Sequence, residues 1–209
     1  MIQITAVPEP TSFNANVRIP GTVFLQSNAT PSSKEFGPHS YWKTISDELF
    51  VAYHKTCAYS CSPIWVRSAT TVDHYLAKAV RPDQAYEWSN YRLSRFKMNC
   101  NKGVNAAVID PFLVENHWFE VDFPSCLIKP GTGLTQDIYD RVVETIRCLR
   151  LNIDDELVDE RATQMVDLAR GDISFAKLGR EYPLLAREVT RQGLLGDLQN
   201  IFKPFPGRL

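Results

Sequence analysis

The sequence predicts an α+β fold laid out in three consecutive regions, and three observations carry that prediction. Two short runs rich in β-branched and aromatic residues, at 70–72 and 91–93, flank a loop; a short basic segment follows, with Gly103 as its stop. Residues 1–40 are rich in Pro, Ser, Asn and Gly and hold no sustained periodicity. From residue 135 onward, apolar side chains recur at spacings of three and four, as in amphipathic helices. The expected regions are an extended N-terminal arm (1–40), a mixed core (41–130) and a C-terminal helical region (131–209).

Taken in order, Ile2-Gln3-Ile4 alternates like a short strand. Val17-Arg18-Ile19, Pro20-Gly21 and Val23-Phe24-Leu25 read as extended pieces around a turn, and 27–37 reads as loop. His39 is assigned no role. From Ser40, the residues Trp42, Ile45, Leu49, Phe50 and Tyr53 share one helical face and point to core packing. Residues 62–66 are expected to pair with the strand that ends at His74. Tyr91-Arg92-Leu93 forms a second strand, and Ser94 caps a short helix through Asn101. Asp110-Pro111 is a turn, and 118–123 alternates as a strand.

Farther on, Thr135-Gln136-Asp137 starts a helix that carries Ile138, Val142, Val143, Ile146 and Leu149 and ends at Asn152. A second helix runs from Asp154 to a stop at Gly171, a third starts near Ser174, and Pro183 opens a fourth. The tail 203–207 reads as loop.

Composition narrows the function classes. A chain of 209 residues with 44% hydrophobic and 22% charged residues is globular. No apolar run approaches the roughly 18 residues of a membrane span, and the N-terminus lacks the build of a signal peptide. Five cysteines without scaffold spacing suit a reducing cytoplasm. Net charge is −1, so no global field recruits nucleic acid, but the charge is uneven. Residues 54–105 carry eight Lys or Arg against three acids, whereas 135–175 carry ten acids against five Arg. The basic stretch, with Lys78, Arg81, Arg92, Arg95 and Lys97, is where a phosphate backbone would sit.

Inside that stretch, chemistry-bearing residues come in a fixed order. Asp73-His74 closes the run 70–72, Asn90 follows a loop, and the basic segment carries Asn99 and Lys102. The last three obey the spacing N-x8-[HN]-x2-K. This set resembles the HNH endonuclease family, built on a ββα-metal finger. The resemblance implies that Asp73 and Asn99 hold one Mg²⁺ or Mn²⁺ and that His74 is the general base. Asn90 would brace the loop presenting His74, and Lys102 would meet a phosphate or steady the transition state. Adjacent strand residues face opposite ways, so the strand end must bring Asp73 and His74 to one site. Asn101 is the competing ligand. Asp110 follows the motif and reads as a structural turn or an auxiliary site residue.

Many HNH proteins also carry two CxxC pairs around a structural zinc. Here the first becomes Cys57-x3-Cys61, and the second falls at Arg95 and Met98. Two cysteines do not close a four-ligand site, so a zinc-free finger with Cys57 and Cys61 as small buried residues is expected.

Beyond the finger, CAYSC, TVDHYLAK, AYEWSNYRL, IDPF and LRLN make the chain similar to the PtuB-type HNH nucleases of Septu antiphage defence systems. That similarity implies a PtuA-like ATPase partner and a DNA or RNA substrate. Two other readings stand beside it: a non-catalytic nucleic-acid or partner-binding module on an HNH-like finger, and a zinc-stabilised adaptor. The missing second cysteine pair argues against the adaptor.

Overall fold

The computed structural model describes residues 1–202. The fold is mixed α and β, with two separate two-stranded antiparallel sheets among the described residues. The chain divides into two compact units. One comprises Ile4–Tyr59 and Pro63–Ala106; the other comprises Met1–Gln3, Ser60–Ser62 and the described residues from Ala107 on. The expected boundaries were 40 and 130. From Ile4 on, residues of the expected arm fall in the same unit as the strands at 70–74 and 91–95, and Phe13, Val17 and Phe24 are buried there.

The first unit opens with a π-helical turn, Asn14–Arg18, that runs into α1 (Ile19–Ser27), followed by the short α2 (Ser33–Phe36). This replaces the extended pieces and the loop expected there, and residues 2–4 form no strand. Phe13, Val17, Gly21 and Phe24 are all buried and recur at helical spacing, a signal that the local Pro-Gly pair masks. The Ile19 N–H reaches back five residues to the Asn14 carbonyl, and that wider turn sets Pro20 in the first turn of α1, where its missing N–H is tolerated. Gly21 is required because an added Cβ would lie 2.1 Å from Tyr86 Cγ. Ser32 and Glu35 form a capping box on α2. His39 is not idle: its ring stacks on Phe24 at 3.9 Å, and Nδ1 lies 2.9 Å from the Tyr41 hydroxyl.

A 3-10 turn, Tyr41–Ile45, leads into α3 (Ser46–Ala52), which buries Leu49. Strand β1 (Thr70–His74) then pairs antiparallel with β2 (Tyr91–Arg95), and Val72 faces Leu93 across the pair. Residues 62–66 do not pair with β1. Pro63 makes a single bridge to Thr56, and Trp65 and Val66 are exposed. The buried Val72–Leu93 pair sets the β1–β2 register in their stead. Helix α4 (Phe96–Lys102) follows directly, with Arg95 at its N-cap position and no side-chain cap; the Ser94 hydroxyl, expected to cap, donates to the Arg95 carbonyl. Gly103 ends α4 at φ +53°, a conformation open to glycine.

The second unit is mostly helical. Strands β3 (Phe119–Asp122) and β4 (Leu127–Pro130) form a hairpin. After them come α5 (Gln136–Cys148), α6 (Asp155–Arg170), α7 (Phe175–Glu181), α8 (Pro183–Arg191) and α9 (Leu198–Ile201). Asn152 lies past the end of α5; its amide accepts the Ile128 N–H at 2.8 Å and donates to the Ile128 carbonyl at 2.6 Å, standing in for a strand neighbour of β4. Ser174 caps α7 by accepting the Lys177 N–H. The tail expected to be loop, 203–207, lies outside the described residues.

Candidate active site

A cleft of about 290 Å³ in the first unit is lined by Thr71, Asp73, His74, Lys78 and Asn99, with Trp42, Ser33 and Val104 at its walls. The end of β1 and the middle of α4 thus bring Asp73, His74 and Asn99 to one place. Asn101 does not line this cleft.

Asp73 is buried, and both of its oxygens are held. Oδ1 accepts from Lys102 Nζ at 3.2 Å, and Oδ2 accepts from the Tyr59 hydroxyl. Burial raises the pKa of the carboxyl, and Lys102, Tyr59 and Arg92 pull against that rise.

His74 packs edge-on against Trp42 at 4.6 Å and Tyr91 at 5.1 Å. Its Nε2 lies 2.9 Å from the Ala85 carbonyl. A carbonyl only accepts, so Nε2 carries the hydrogen and Nδ1 keeps the lone pair. Burial, with the charges of Lys78 and Lys102, pulls the imidazole down to about 3, so the ring is neutral at physiological pH.

Asn90 clamps the loop that leaves His74. Its Oδ1 accepts the Leu76 N–H at 2.7 Å, and its Nδ2 donates to the carbonyls of Leu76 and Gln84. Its own carbonyl accepts the Tyr75 N–H. Asn99 donates through Nδ2 to Thr71 Oγ1 at 3.4 Å, while the Thr71 hydroxyl donates to the Val72 carbonyl. That arrangement leaves the Asn99 Oδ1 lone pairs unused by the described residues.

The basic residues divide. Lys102 was expected at a phosphate; it is buried, and donates to Asp73 and to the His74 carbonyl at 2.9 Å. Arg92 is buried, donating to the carbonyls of Ser89 and Tyr91. Arg95 donates to the Pro63 carbonyl. These three are turned inward. Lys78 lines the cleft with its ammonium 5.3 Å from the Trp42 ring. Arg81 is exposed and paired with Asp83, and Lys97 is exposed. In the second unit, the Asp110 carboxylate accepts the Phe112 N–H at 3.0 Å, closing a turn.

The donor set at the cleft fits a hard divalent cation in kind: one carboxylate, one uncommitted amide oxygen and room for water. Tyr59 and Lys102 each use a single lone pair of the Asp73 oxygens, so each oxygen keeps another. Among the described residues, no three His, Cys, Asp or Glu side chains converge on a metal cage. Cys57 and Cys61 are buried, and their sulfurs accept the N–H groups of Arg95 and Ile2, respectively.

Sequence reasoning missed Tyr59, Thr71, Trp42 and Tyr91 as site residues. Tyr59 sits inside the CAYSC run, but only the fold brings its hydroxyl to Asp73. Tyr91 donates to the same Ala85 carbonyl as His74, at 2.8 Å.

No protein-family model matches this chain, and no curated protein matches it.

Proposed function

We propose that this protein is a divalent-metal-dependent endonuclease of the HNH kind, hydrolysing phosphodiester bonds of DNA or RNA at the Asp73–His74–Asn99 cleft. One observation carries the reading: a carbonyl-anchored His74 lines the same cleft as the Asp73 carboxylate and the uncommitted Asn99 amide oxygen. Asp73 and Asn99 would hold Mg²⁺ or Mn²⁺. The bound ion would acidify a water and offset charge on the phosphate. His74 takes the proton of the attacking water at Nδ1 while Nε2–H stays on the Ala85 carbonyl, so the ring does not turn during the transfer. Asn90 keeps that geometry by fixing the loop. Lys78 contributes the cation that faces a substrate phosphate.

The same resemblance supports a cytoplasmic antiphage role beside a PtuA-like ATPase, docked on the helical region 135–201. No helix among the described residues is long and apolar enough to cross a membrane. A second reading, a non-catalytic binding module, draws support from the Lys102 ammonium already sitting on Asp73.

The test is cleavage by purified protein on DNA and RNA with Mg²⁺ or Mn²⁺. His74→Ala is expected to lower the rate about 100-fold or more. Equal rates for wild type and variant would remove the base assignment. A folded wild type that binds nucleic acid with no cleavage would favour the binding module.

A further inference from the structure

The Asp73 carboxylate is gripped by a residue that the proposed reaction does not use. Tyr59 is fully buried, and its hydroxyl donates to Asp73 Oδ2. Lys102 holds Oδ1 from α4. One donor on each oxygen fixes the plane of the carboxylate, because rotation about its χ2 breaks both bonds at once.

Tyr59 reaches this place by a dedicated route. The short segment before it lies along the edge of β2: the Ala58 N–H donates to the Leu93 carbonyl at 2.8 Å, and Cys57 Sγ accepts the Arg95 N–H at 3.4 Å. Cys57 and Ala58 are small and buried, which lets the backbone approach the strand. The buried phenol then meets β1 at Asp73. As a neutral donor it restrains Asp73 without cancelling its charge, which a second ammonium would do.

We infer that Tyr59 is a positioning residue for the cation-binding carboxylate, an inference that rests on the metal reading of the cleft. Its hydroxyl keeps Asp73 from closing onto Lys102. Without it, the carboxylate is free to rotate about χ2 toward the ammonium, and its orientation at the cleft is no longer fixed. A hydrogen bond to a ligating carboxylate acts through ligand orientation, and its loss weakens metal binding about 10- to 100-fold.

The experiment titrates Mn²⁺ alone into the full chain, wild type and Tyr59→Phe, following free Mn²⁺ by electron paramagnetic resonance. The expected result is a dissociation constant about tenfold higher in the variant. The Mn²⁺ concentration for half-maximal cleavage should shift by the same factor, with kcat recovering at saturating Mn²⁺ and KM for nucleic acid unchanged. Leu93→Val, a core change on the neighbouring strand, controls for lost stability and should leave Mn²⁺ affinity as it is. Tyr59→Phe that melts lower but binds Mn²⁺ like wild type would make Tyr59 a packing residue and overturn the inference. Equal loss of affinity in Leu93→Val would do the same. A wild type that binds no Mn²⁺ removes the metal reading itself, an outcome separate from either.

Discussion

Lys102 sets its ammonium 3.2 Å from Asp73 Oδ1 and 2.9 Å from the His74 carbonyl oxygen, with 1% of its side chain exposed. One cation therefore ties α4 to the end of β1 at the two residues on which the proposed chemistry depends. A buried ion pair contributes little net stability against an apolar pair of the same shape, but breaking one is costly because the remaining charge has no water.

That asymmetry gives a prediction. Lys102→Met is expected to destabilise the fold by about 3–5 kcal/mol, read as a lower urea midpoint. The double variant Lys102→Met with Asp73→Leu should recover most of that loss, because no charge is left stranded. A single variant as stable as wild type would mean that Lys102 is not the counter-ion of Asp73.

The division of the basic residues gives another. Lys78→Ala should weaken nucleic-acid binding and reduce the salt slope by about 1, because it removes one phosphate contact. Arg92→Met should leave that slope unchanged and lower the melting temperature, because the guanidinium serves the carbonyls of Ser89 and Tyr91. Filter binding across a salt series separates the two. Opposite behaviour would put Arg92, and not Lys78, at the backbone.

These assignments mark where sequence reading works and where it stops. Asp73, His74, Asn90 and Asn99 were picked out as a set by their resemblance to the HNH motif; the fold brings Asp73, His74 and Asn99 to one cleft and puts Asn90 on the loop beside it. The direction of a long cation is tertiary information. Lys102, Arg92 and Arg95 look like phosphate binders in a basic run, and only the register Asp73↔Arg92 and the placement of α4 turn them inward. The buried stripe Phe13–Val17–Gly21–Phe24 was visible in principle, but Pro20-Gly21 carried the local signal toward a turn. Tyr59 was hidden because nothing in CAYSC predicts contact with a residue 14 positions later.

The second unit supplies a pH prediction. Glu188 on α8 has its side chain fully buried and bonds Arg191 at 2.8 Å, Arg187 at 3.0 Å and the Val121 N–H of β3 at 3.3 Å. Burial alone would raise its pKa; the hydrogen bond from Arg191, the charge of Arg187 and the donors from Val121 and Gln192 outweigh that, so the folded value lies below the ordinary 4.5. The unfolded chain therefore binds the proton first as pH falls. Stability from this group is present above about pH 4.5 and drains away below it, toward the depressed folded value. Glu188→Gln keeps the shape and removes the charge. It should lose about 2 kcal/mol at pH 7, the scale of a hydrogen bond to a charged group, and its stability should fall less steeply than that of wild type below pH 4.5. Urea unfolding at pH 7, 4.5 and 3.5 measures both. Parallel pH profiles for the two proteins would show that the Glu188–Arg191 contact does not hold α8 against β3 in solution.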